Sequence, residues 1–453
     1  MCAAAAIDYT YRYPFASGVG DFENGFGLRL ATSDGPQASP WFFDGRLRHP
    51  KSVGDMLLTL SDVVRTHFFL PRPPMMDPVV TSGEGVLRFE GFSGCCGVYA
   101  RVDLPAEAFD SDIHGRGTTN VDFNNPMRAA LCRLNDRDDA RLAVGADEVS
   151  LSRGDEKIIE KKVQLPIRWI KGFCEVQAYQ PALSLRYELP VAEARRFIRS
   201  LPRGGAPKRP SFITSFGRAL RLSQRETKGA IRITGLERIR IIEPLFATAN
   251  SLQIWADDDA GVSGWRVIFE TGSIFLLVSP EIYRGFSGEG QALEKLAIGA
   301  WADALTPVRA QLAWQSNIDA SDIAARTSLS TDAISSALAV LGARGLAGYD
   351  AASGAYFHRE LPFDLEQVEA LQPRLRAARK LLDDRKVQLL TRDGNDADAQ
   401  VTGTGVQHQV RLRGDDATCT CPWYSKYLGQ RGPCKHILAT RLLVAPDDEE
   451  TAE

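Results

Sequence analysis

Long apolar runs are missing from this 453-residue sequence. No uninterrupted hydrophobic stretch approaches the roughly 18–20 residues that a membrane helix needs, so we expect no membrane partner. The first residues also lack the basic segment that opens a secretory signal, which favours a cytoplasmic protein. Apolar residues make up 44% of the chain and charged residues 25%. This balance is typical of a globular protein and excludes a disordered or fibrous one.

Motifs that mark common enzyme classes are missing too. The chain has no GxxxxGK[ST] phosphate loop, no HExxH metalloprotease motif, no GxSxG nucleophile motif and no GxGxxG dinucleotide motif. The stretch "GFSGC" at residues 91–95 fails at the last glycine. We therefore expect a protein that is not an enzyme, although catalytic residues dispersed over the fold would leave no such motif.

Cysteines are few outside one short stretch. The five scattered ones, which do not form the dense framework of a small secreted domain, are Cys2, Cys95, Cys96, Cys132 and Cys174. The vicinal pair Cys95–Cys96 lacks CxxC spacing and a basic partner, so we interpret it as two small residues in a strand-rich segment. The other three cysteines lie with a histidine in "CTCPWYSKYLGQRGPCKHI", residues 419–437.

This cysteine-rich stretch has the spacing of a metal site: Cys419-x-Cys421, twelve residues, then Cys434-x-His436. Alternating apolar residues before it predict a hairpin whose last strand carries both leading cysteines on one face. Gly-Pro before Cys434 predicts a helix start, with His436 in its first turn. Three thiolates and an imidazole suit one structural Zn²⁺ ion, and four protein ligands leave no position for a catalytic water. The alternative is a set of buried thiols without metal.

The arrangement resembles the SWIM zinc finger, a CxC…CxH module. The likeness includes the four ligands, the preceding hairpin, Pro422 and the apolar helix that begins at His436. SWIM modules occur in transposases, chromatin-remodelling and recombination-associated factors and ubiquitin-ligase components, so the resemblance implies DNA or protein binding. The whole chain is similar to bacterial SWIM zinc finger family proteins. Some of these are linked to MoxR-type AAA ATPases and von Willebrand A proteins, which implies a possible protein partner.

Residues 315–361 have the pattern of two helices followed by a hairpin. Ser321 can cap a short first helix, and Ser330 or Thr331 can cap a second one with apolar residues at i, i+4 and i+7 from Ile334. The segment resembles the winged helix-turn-helix family, which implies DNA reading by the second helix. However, it contains three arginines against five acidic residues, a net charge of −2. Because phosphate binding needs several cations, protein binding or internal packing is an equal alternative.

Positive charge is concentrated in two places, although the whole chain has a net charge of −3. Residues 195–240 contain thirteen Lys and Arg against two Glu, a net +11, and residues 411–445 contain six against two Asp, a net +4. Such segments can bind a polyanion or an acidic protein. The candidate nucleic-acid-binding residues are Arg195, Arg196, Arg199, Lys208, Arg209, Arg218, Arg221, Arg225, Lys228, Lys426, Arg431 and Lys435.

We therefore predict a multidomain α+β protein. The expected parts are a strand-rich N-terminal α+β region (1–201), a Pro/Gly-rich linker (202–211), a second α+β region (212–310), a winged-helix-like domain (311–362), connecting helices (363–386), a SWIM-type zinc finger (387–446) and an acidic disordered tail (447–453). The preferred function is non-enzymatic, zinc-dependent association with DNA or another nucleic acid. The alternative is a protein–protein interaction adaptor, with a MoxR-type AAA ATPase/von Willebrand A system as one candidate partner.

Overall fold

A computed structural model of the chain describes residues 18–22, 25–29, 41–68, 78–110, 115–120, 123–145, 148–153, 156–161, 167–203, 211–217, 219–257, 261–280, 285–288, 290, 301–361, 373–394, 396–403, 405–414, 416–429 and 431–444. Helices and strands are mixed along these residues, as the sequence predicts. Among them, no helix combines the length and the hydrophobicity needed to cross a membrane. The acidic tail lies outside the described residues.

The strands, in chain order, are β1 (Gly18–Phe22), β2 (Gly25–Arg29), β3 (Trp41–Arg46), β4 (Val79–Gly83), β5 (Val86–Phe92), β6 (Val98–Pro105), β7 (Gly117–Asn120), β8 (Ala140–Gly145), β9 (Glu148–Arg153), β10 (Glu156–Lys161), β11 (Ser184–Pro190), β12 (Ser211–Phe216), β13 (Ala219–Ser223), β14 (Ile231–Ile233), β15 (Ser251–Asp257), β16 (Val262–Phe269), β17 (Gly272–Val278), β18 (Ala347–Asp350), β19 (Ala355–His358), β20 (Val387–Asp393), β21 (Asp396–Thr402), β22 (Gln407–Arg413) and β23 (Asp416–Cys419).

The α-helices are α1 (Pro50–Arg65), α2 (Asn125–Arg133), α3 (Ile167–Tyr179), α4 (Val191–Ser200), α5 (Leu236–Ile239), α6 (Ala302–Ala310), α7 (Ala320–Thr327), α8 (Thr331–Ala343), α9 (Pro373–Asp383), α10 (Pro422–Tyr427) and α11 (Lys435–Val444). Short 3-10 helices lie at Ala106–Ala108, Gln180–Ala182, Arg240–Ala247 and Gly285–Gly288.

One antiparallel sheet of eight strands joins the two predicted α+β regions. Its order is β11-β15-β16-β17-β6-β5-β4-β7, so β6 and β17 are neighbours although they are far apart in the chain. Strands from 1–201 and from 212–310 therefore share one sheet, and the segment predicted as a linker connects two parts of it. The sequence did not indicate this pairing, because a local pattern predicts a strand but not the strand it pairs with. The other domain boundaries stay predictions.

Helix α1 packs closely on this sheet. It begins at Pro50, which suits the first helical turn because proline has no N–H to contribute there. Gly91 in β5 permits the close approach, since a Cβ atom at this position would lie 2.7 Å from Val64 Cγ2 of α1 and 3.3 Å from the Trp169 ring of α3. Both of those side chains are fully buried. Close packing of apolar side chains thus holds α1 and α3 to the sheet, at about 1.5–3 kcal/mol for each large side chain.

Helices α6, α7 and α8, followed by the hairpin β18–β19, form a unit with a small apolar core of its own. Asp319 caps α7 by accepting from the Ser321 N–H at 2.8 Å, and Ser330 caps α8 by accepting from the Ala333 N–H at 3.2 Å. The prediction that Ser321 caps the first helix is therefore wrong, because a carboxylate two residues earlier takes that role. Helix α8 ends before Gly345, whose φ of +78° favours glycine.

Buried charges attach this unit to the eight-stranded sheet. Glu90 and Arg101 are opposed residues of β5 and β6, so their side chains leave the same face. Arg101 pairs with Asp350 of β18 at 2.6 Å, and Arg359, which follows β19, pairs with Glu90. Arg101, Glu90 and Arg359 are almost completely buried. The hairpin is therefore held against the sheet by charge-assisted hydrogen bonds.

Strands β12, β13 and β14 form a separate three-stranded sheet in the order β13-β12-β14. Its inner face contributes Ile213, Ile231 and Ile233 to the main hydrophobic core, and these side chains are at most 2% exposed. The side chains of alternate residues point to the other face. The sheet is thus anchored to the core on one side.

The C-terminal unit is a four-stranded antiparallel sheet, in the order β20-β21-β22-β23, with α9 and α11 packed together. Burial alternates along β21 and β22, with the side chains of Ala397, Ala399, Val401, Val410 and Leu412 in the core. This is the period of a strand that has one face toward a core. Helix α9, from the segment predicted as connecting helices, supplies core residues to this unit.

Candidate metal centre

The four predicted metal ligands come from neighbouring elements of the C-terminal unit. Cys419 ends β23, Cys421 caps α10, Cys434 directly precedes α11, and His436 lies in the first turn of α11. Pro422 explains why the strand ends before Cys421, since proline lacks the N–H that a ladder needs but suits a first helical turn. The prediction that one strand carries both leading cysteines is therefore wrong, although both sulfur atoms reach the same place.

The donor atoms of these four residues converge. The three Sγ atoms and a ring nitrogen of His436 all lie within 4.8 Å of one another. The Nδ1 atom of His436 is 3.7 Å from Cys419 Sγ and 4.0 Å from Cys434 Sγ. In a tetrahedral site with Zn–S near 2.3 Å and Zn–N near 2.0 Å, neighbouring donors are roughly 3.5–3.8 Å apart. The size and chemistry of the donor set therefore fit one structural Zn²⁺ ion.

Backbone N–H groups point at two of the sulfur atoms. The Tyr424 N–H donates to Cys421 Sγ at 3.4 Å, and the Ile437 N–H donates to Cys434 Sγ at 3.5 Å. Each N–H lies in the first turn of a helix, where it has no helical carbonyl partner. Hydrogen bonds of this kind favour the thiolate, which is the form that binds a metal.

The protonation of the thiols shows why a cation suits this place. Hydrogen bonding with Cys421 raises the pKa of Cys419, and hydrogen bonding with Cys419 lowers the pKa of Cys421. The three thiols thus stabilise one thiolate by sharing protons, whereas three adjacent thiolates would repel one another. A bound cation removes that repulsion and deprotonates the coordinating thiols.

A second imidazole packs beside the site. The rings of His408 and His436 have centroids 4.5 Å apart and are inclined by 36°. Burial, together with the neighbouring His436, lowers the pKa of His408 and favours its neutral form. The converging donor group in the described part of the chain contains His436 and not His408. His408 therefore packs against the site and is not one of its donors.

The predicted basic residues of α4 are exposed but partly paired. Arg195, Arg196 and Arg199 all lie on the exposed surface of α4. Arg196 pairs with Glu193 at 3.0 Å, and Arg199 pairs with Glu243 at 3.2 Å. These carboxylates reduce the positive charge that α4 offers to a ligand.

The predicted basic residues after α4 gather at the three-stranded sheet. Arg221 lies on β13, and Arg225 and Lys228 lie in the connection from β13 to β14, all three exposed. The predicted residues Lys208, Arg209 and Arg218 lie outside the described residues. Sequence analysis missed Phe216 at the end of β12, which is 68% exposed and has the Arg221 guanidinium 4.5 Å from its ring centroid. The sequence did contain a signal for this residue, because an aromatic side chain within the basic segment 195–240 is typical of a nucleic-acid contact.

The predicted basic residues of the finger stand beside aromatic rings. Trp423 and Tyr427, one helical turn apart on α10, have ring centroids 4.5 Å apart. The Arg431 guanidinium lies 5.7 Å from the Trp423 centroid and 5.0 Å from that of Tyr427, and Lys426 Nζ lies 5.0 Å from the Tyr427 centroid. We call these four residues the finger face. Lys435, at the start of α11, is also exposed.

The loop that carries the finger face is held from outside by α9. Arg374 donates from Nη1 to the carbonyl oxygens of Arg431 and Pro433, at 2.8 and 3.0 Å, and its guanidinium lies 4.9 Å from the Trp423 centroid. Sequence analysis missed this residue because it lies far upstream of the finger motif. The sequence held no local signal for the contact.

Comparison with known proteins places the metal centre in a family. A family model of the SWIM zinc finger matches residues 408–440, which include all four converging ligands. A search of curated proteins finds no match to the chain. Among solved structures, proliferating cellular nuclear antigen from Entamoeba histolytica aligns at 10% identity and a TM-score of 0.36, over 53% of this chain and 99% of that one. That TM-score is too low to relate the two folds. The carboxyl-terminal part of this chain contains a SWIM zinc finger, with Cys419, Cys421, Cys434 and His436 as the residues suited to its zinc ion.

Proposed function

We propose that this chain is a non-enzymatic zinc-binding protein that associates with nucleic acid, and that the finger face is one of its contact surfaces. The observation that carries the proposal is the arrangement of two cations, Lys426 and Arg431, around the adjacent, mutually tilted rings of Trp423 and Tyr427. Cations neutralise phosphates, and releasing their counterions supplies much of the affinity for nucleic acid. The partly exposed aromatic and guanidinium planes can add contacts to bases or sugars.

Zinc has a positioning role in this proposal. Cys421 and Cys434 bracket the segment that carries the finger face, so an ion held by both would fix the two ends of that segment. The hydrogen bonds from Arg374 to the carbonyl oxygens of Arg431 and Pro433 hold the same segment from α9. With four protein ligands the ion would keep no position for a substrate or a reactive water, which supports a structural and not a catalytic role.

We further propose that residues 311–362 form a winged-helix-type unit that does not read DNA. On the outward side of α8, the exposed residues include Asp332 and Ser335, so this side offers no cation to a phosphate backbone. The hairpin that would serve as the wing is attached to the eight-stranded sheet through Arg101 and Asp350. Nucleic-acid contacts therefore fall to the finger face and the basic segment 195–240.

The test is an electrophoretic shift assay with labelled DNA at about 50 mM and about 200 mM salt, on protein of measured zinc content. We expect binding that weakens steeply between the two salt concentrations. A K426A/R431A double variant should lower the affinity at each salt concentration and reduce the salt slope by about 1–2. The matched control is Arg326→Ala, which removes an exposed, ion-paired arginine of α7. Equal binding by the double variant and the wild type would contradict the role of the finger face.

The second candidate function is that of a protein–protein interaction adaptor, with a MoxR-type AAA ATPase/von Willebrand A system as one candidate partner. One observation favours it: a cleft of about 940 Å³ lies between α3 and the winged-helix-type unit. Its lining includes Gln177, Ser335, Ala339 and Tyr356, and Asp319 is the charged residue among the side chains that line it. A lining of mostly small, neutral side chains, whose one charge is the carboxylate of Asp319, suits a protein segment better than a phosphate backbone. Co-purification of a partner that an A339R substitution abolishes, with no DNA shift, would favour this function.

A further inference from the structure

The outward face of the three-stranded sheet carries an exposed aromatic ring and two arginines, and the connection from β13 to β14 adds two further cations. Residues opposed across antiparallel strands share a face, and the pairs Thr214↔Arg221 and Phe212↔Arg232 put both arginines on the face that Phe216 also uses. Phe216 is 68% exposed, a large value for a phenylalanine. We call Phe216, Arg221, Arg225, Lys228 and Arg232 the sheet platform.

We infer that the sheet platform is a binding surface for single-stranded nucleic acid, in which a base stacks on Phe216 and the cations hold the adjoining phosphates. This inference rests on the proposed nucleic-acid association and deepens it, since it names a strand type and a stacking residue. It concerns a surface separate from the finger face.

The ring is already arranged for stacking. The Arg221 guanidinium lies 4.5 Å from the Phe216 ring centroid, which is cation–π distance. This contact limits the movement of the ring and reduces the conformational entropy that a ligand would have to remove on binding. With 68% of the residue exposed, the ring keeps open surface for a flat, apolar partner such as a base.

The cations of the sheet platform favour a polyanion over an apolar protein segment. Arg221, Arg225, Lys228 and Arg232 are all exposed. None of the four forms an ion pair within the described part of the chain, unlike Arg196 and Arg199 of α4. A hydrophobic partner groove would leave these cations without anions, whereas a phosphate backbone would pair with them.

The exposed ring indicates single-stranded and not duplex nucleic acid. In a duplex, both faces of each base are covered by neighbouring base pairs, so a side chain that stacks on a base needs an unpaired strand. Cations are enough to contact a duplex backbone, whereas an exposed phenylalanine on a sheet surface adds affinity where an unpaired base can stack on it. The inner face of the sheet, with Ile213 and Ile231 fully buried, makes the platform rigid.

The experiment uses the full-length protein and fluorescence anisotropy with labelled oligothymidylate and a labelled duplex of equal length. Three variants separate stacking from hydrophobicity and from folding: Phe216→Leu keeps apolar area but removes the aromatic plane, Phe216→Tyr keeps the plane, and Leu185→Ala is a control at another exposed apolar side chain. We expect F216L to weaken oligothymidylate binding roughly 5- to 100-fold, as loss of one stacked base does, and duplex binding less than about twofold. F216Y and L185A should bind like the wild type.

The outcomes separate this inference from the proposed function. If wild type binds DNA but F216L and F216Y bind oligothymidylate equally well, the inference is overturned and the proposed function stands. If polyglutamate displaces oligothymidylate as effectively as unlabelled oligothymidylate does, the platform is a general site for acidic chains, and the inference is again overturned. If the wild type binds neither strand type, the proposed function and the inference both fail.

Discussion

Arg101 of β6 and Asp350 of β18 form a buried ion pair, with Arg101 Nη2 2.6 Å from Asp350 Oδ1. Arg101 is 1% exposed, and its Nη1 also donates to the Tyr349 carbonyl at 2.9 Å. Burial alone would raise the pKa of Asp350, but the adjacent Arg101 outweighs it and holds this pKa well below its ordinary value. The pair therefore remains ionised at neutral pH and joins the helix–hairpin unit to the large sheet.

Removing one partner of this pair should destabilise the protein strongly. For Arg101→Ala we expect the free energy of unfolding to fall by about 3–5 kcal/mol, because the substitution leaves the largely buried Asp350 carboxylate without its ion-pair partner. The measurement is urea denaturation followed by circular dichroism. The matched control, Arg326→Ala, removes an exposed arginine whose pair with Asp322 should contribute at most about 1 kcal/mol. Equal losses in the two variants would contradict the account of the interface.

The same interface should be sensitive to acid through His358. Its Nδ1 accepts from the Trp314 N–H at 2.7 Å, and burial lowers the pKa of His358 from 6.5 to about 3. Between these values the unfolded chain binds a proton that the folded chain does not, so stability is present above about pH 6.5 and is lost as the pH falls. The expected loss is about 1.4 kcal/mol per pH unit below about 6.5.

The variant that tests this is His358→Asn, which keeps an acceptor near the Trp314 N–H and cannot be protonated. We expect the difference in unfolding free energy between wild type and H358N to shrink on going from about pH 7 to about pH 5. Other titrating groups affect both proteins alike and cancel in the difference. A difference that stays constant over this range would show that His358 does not carry the acid sensitivity.

Removal of zinc should unfold the C-terminal unit. Structural zinc contributes apparent folding free energies on the order of 10 kcal/mol, and without the ion only weak thiol hydrogen bonds would hold Cys419, Cys421, Cys434 and His436 together. We expect one zinc per chain by elemental analysis, and rapid proteolysis within residues 387–444 after chelation. Cys434→Ser should have the same effect, whereas Cys132→Ser, at an exposed cysteine, should not. Purified protein that is metal-free and still resists proteolysis would contradict the assignment.

A single methyl group at Gly91 should disturb the contact of α1 with the sheet. The added Cβ would lie 2.7 Å from Val64 Cγ2, closer than packed atoms approach, and 3.3 Å from the Trp169 ring, which is a tight contact. For Gly91→Ala we expect a loss of about 1–3 kcal/mol in unfolding free energy. Combining it with Val64→Ala should recover part of that loss, because the second change removes the obstructing methyl group. Additive losses in the double variant would argue against the steric explanation.

The C-terminal unit was the part best predicted from sequence, because its determinants are local. Ligand spacing and alternating apolar residues gave the four donors and the strands before them. The errors there are small: Pro422 ends the strand at Cys419, and Cys421 becomes a helix cap. Similarly, Asp319 replaced Ser321 as the cap of α7, since several short polar side chains near a helix start can compete for one N–H.

The pairing of β6 with β17 could not be predicted in this way. The two strands, Val98–Pro105 and Gly272–Val278, are far apart in the sequence, and the residues of neither strand indicate which strand it pairs with. The buried charges Arg101 and Arg359 were hidden for a related reason. From the sequence alone, an arginine in or next to a strand is expected to be exposed. The fold brings Asp350 to Arg101 and Glu90 to Arg359, and these pairs allow the arginines to be buried.

The shared sheet has a consequence for fragments of the protein. A cut between residues 203 and 211 would separate β6 from β17 and β11 from β15, so each piece would carry bare strand edges with unsatisfied backbone groups. Such pieces, expressed alone, should aggregate. Expressed together in one cell, the two pieces should reassemble by pairing β6 with β17 and β11 with β15 again. The region would then behave as a split protein suited to complementation assays.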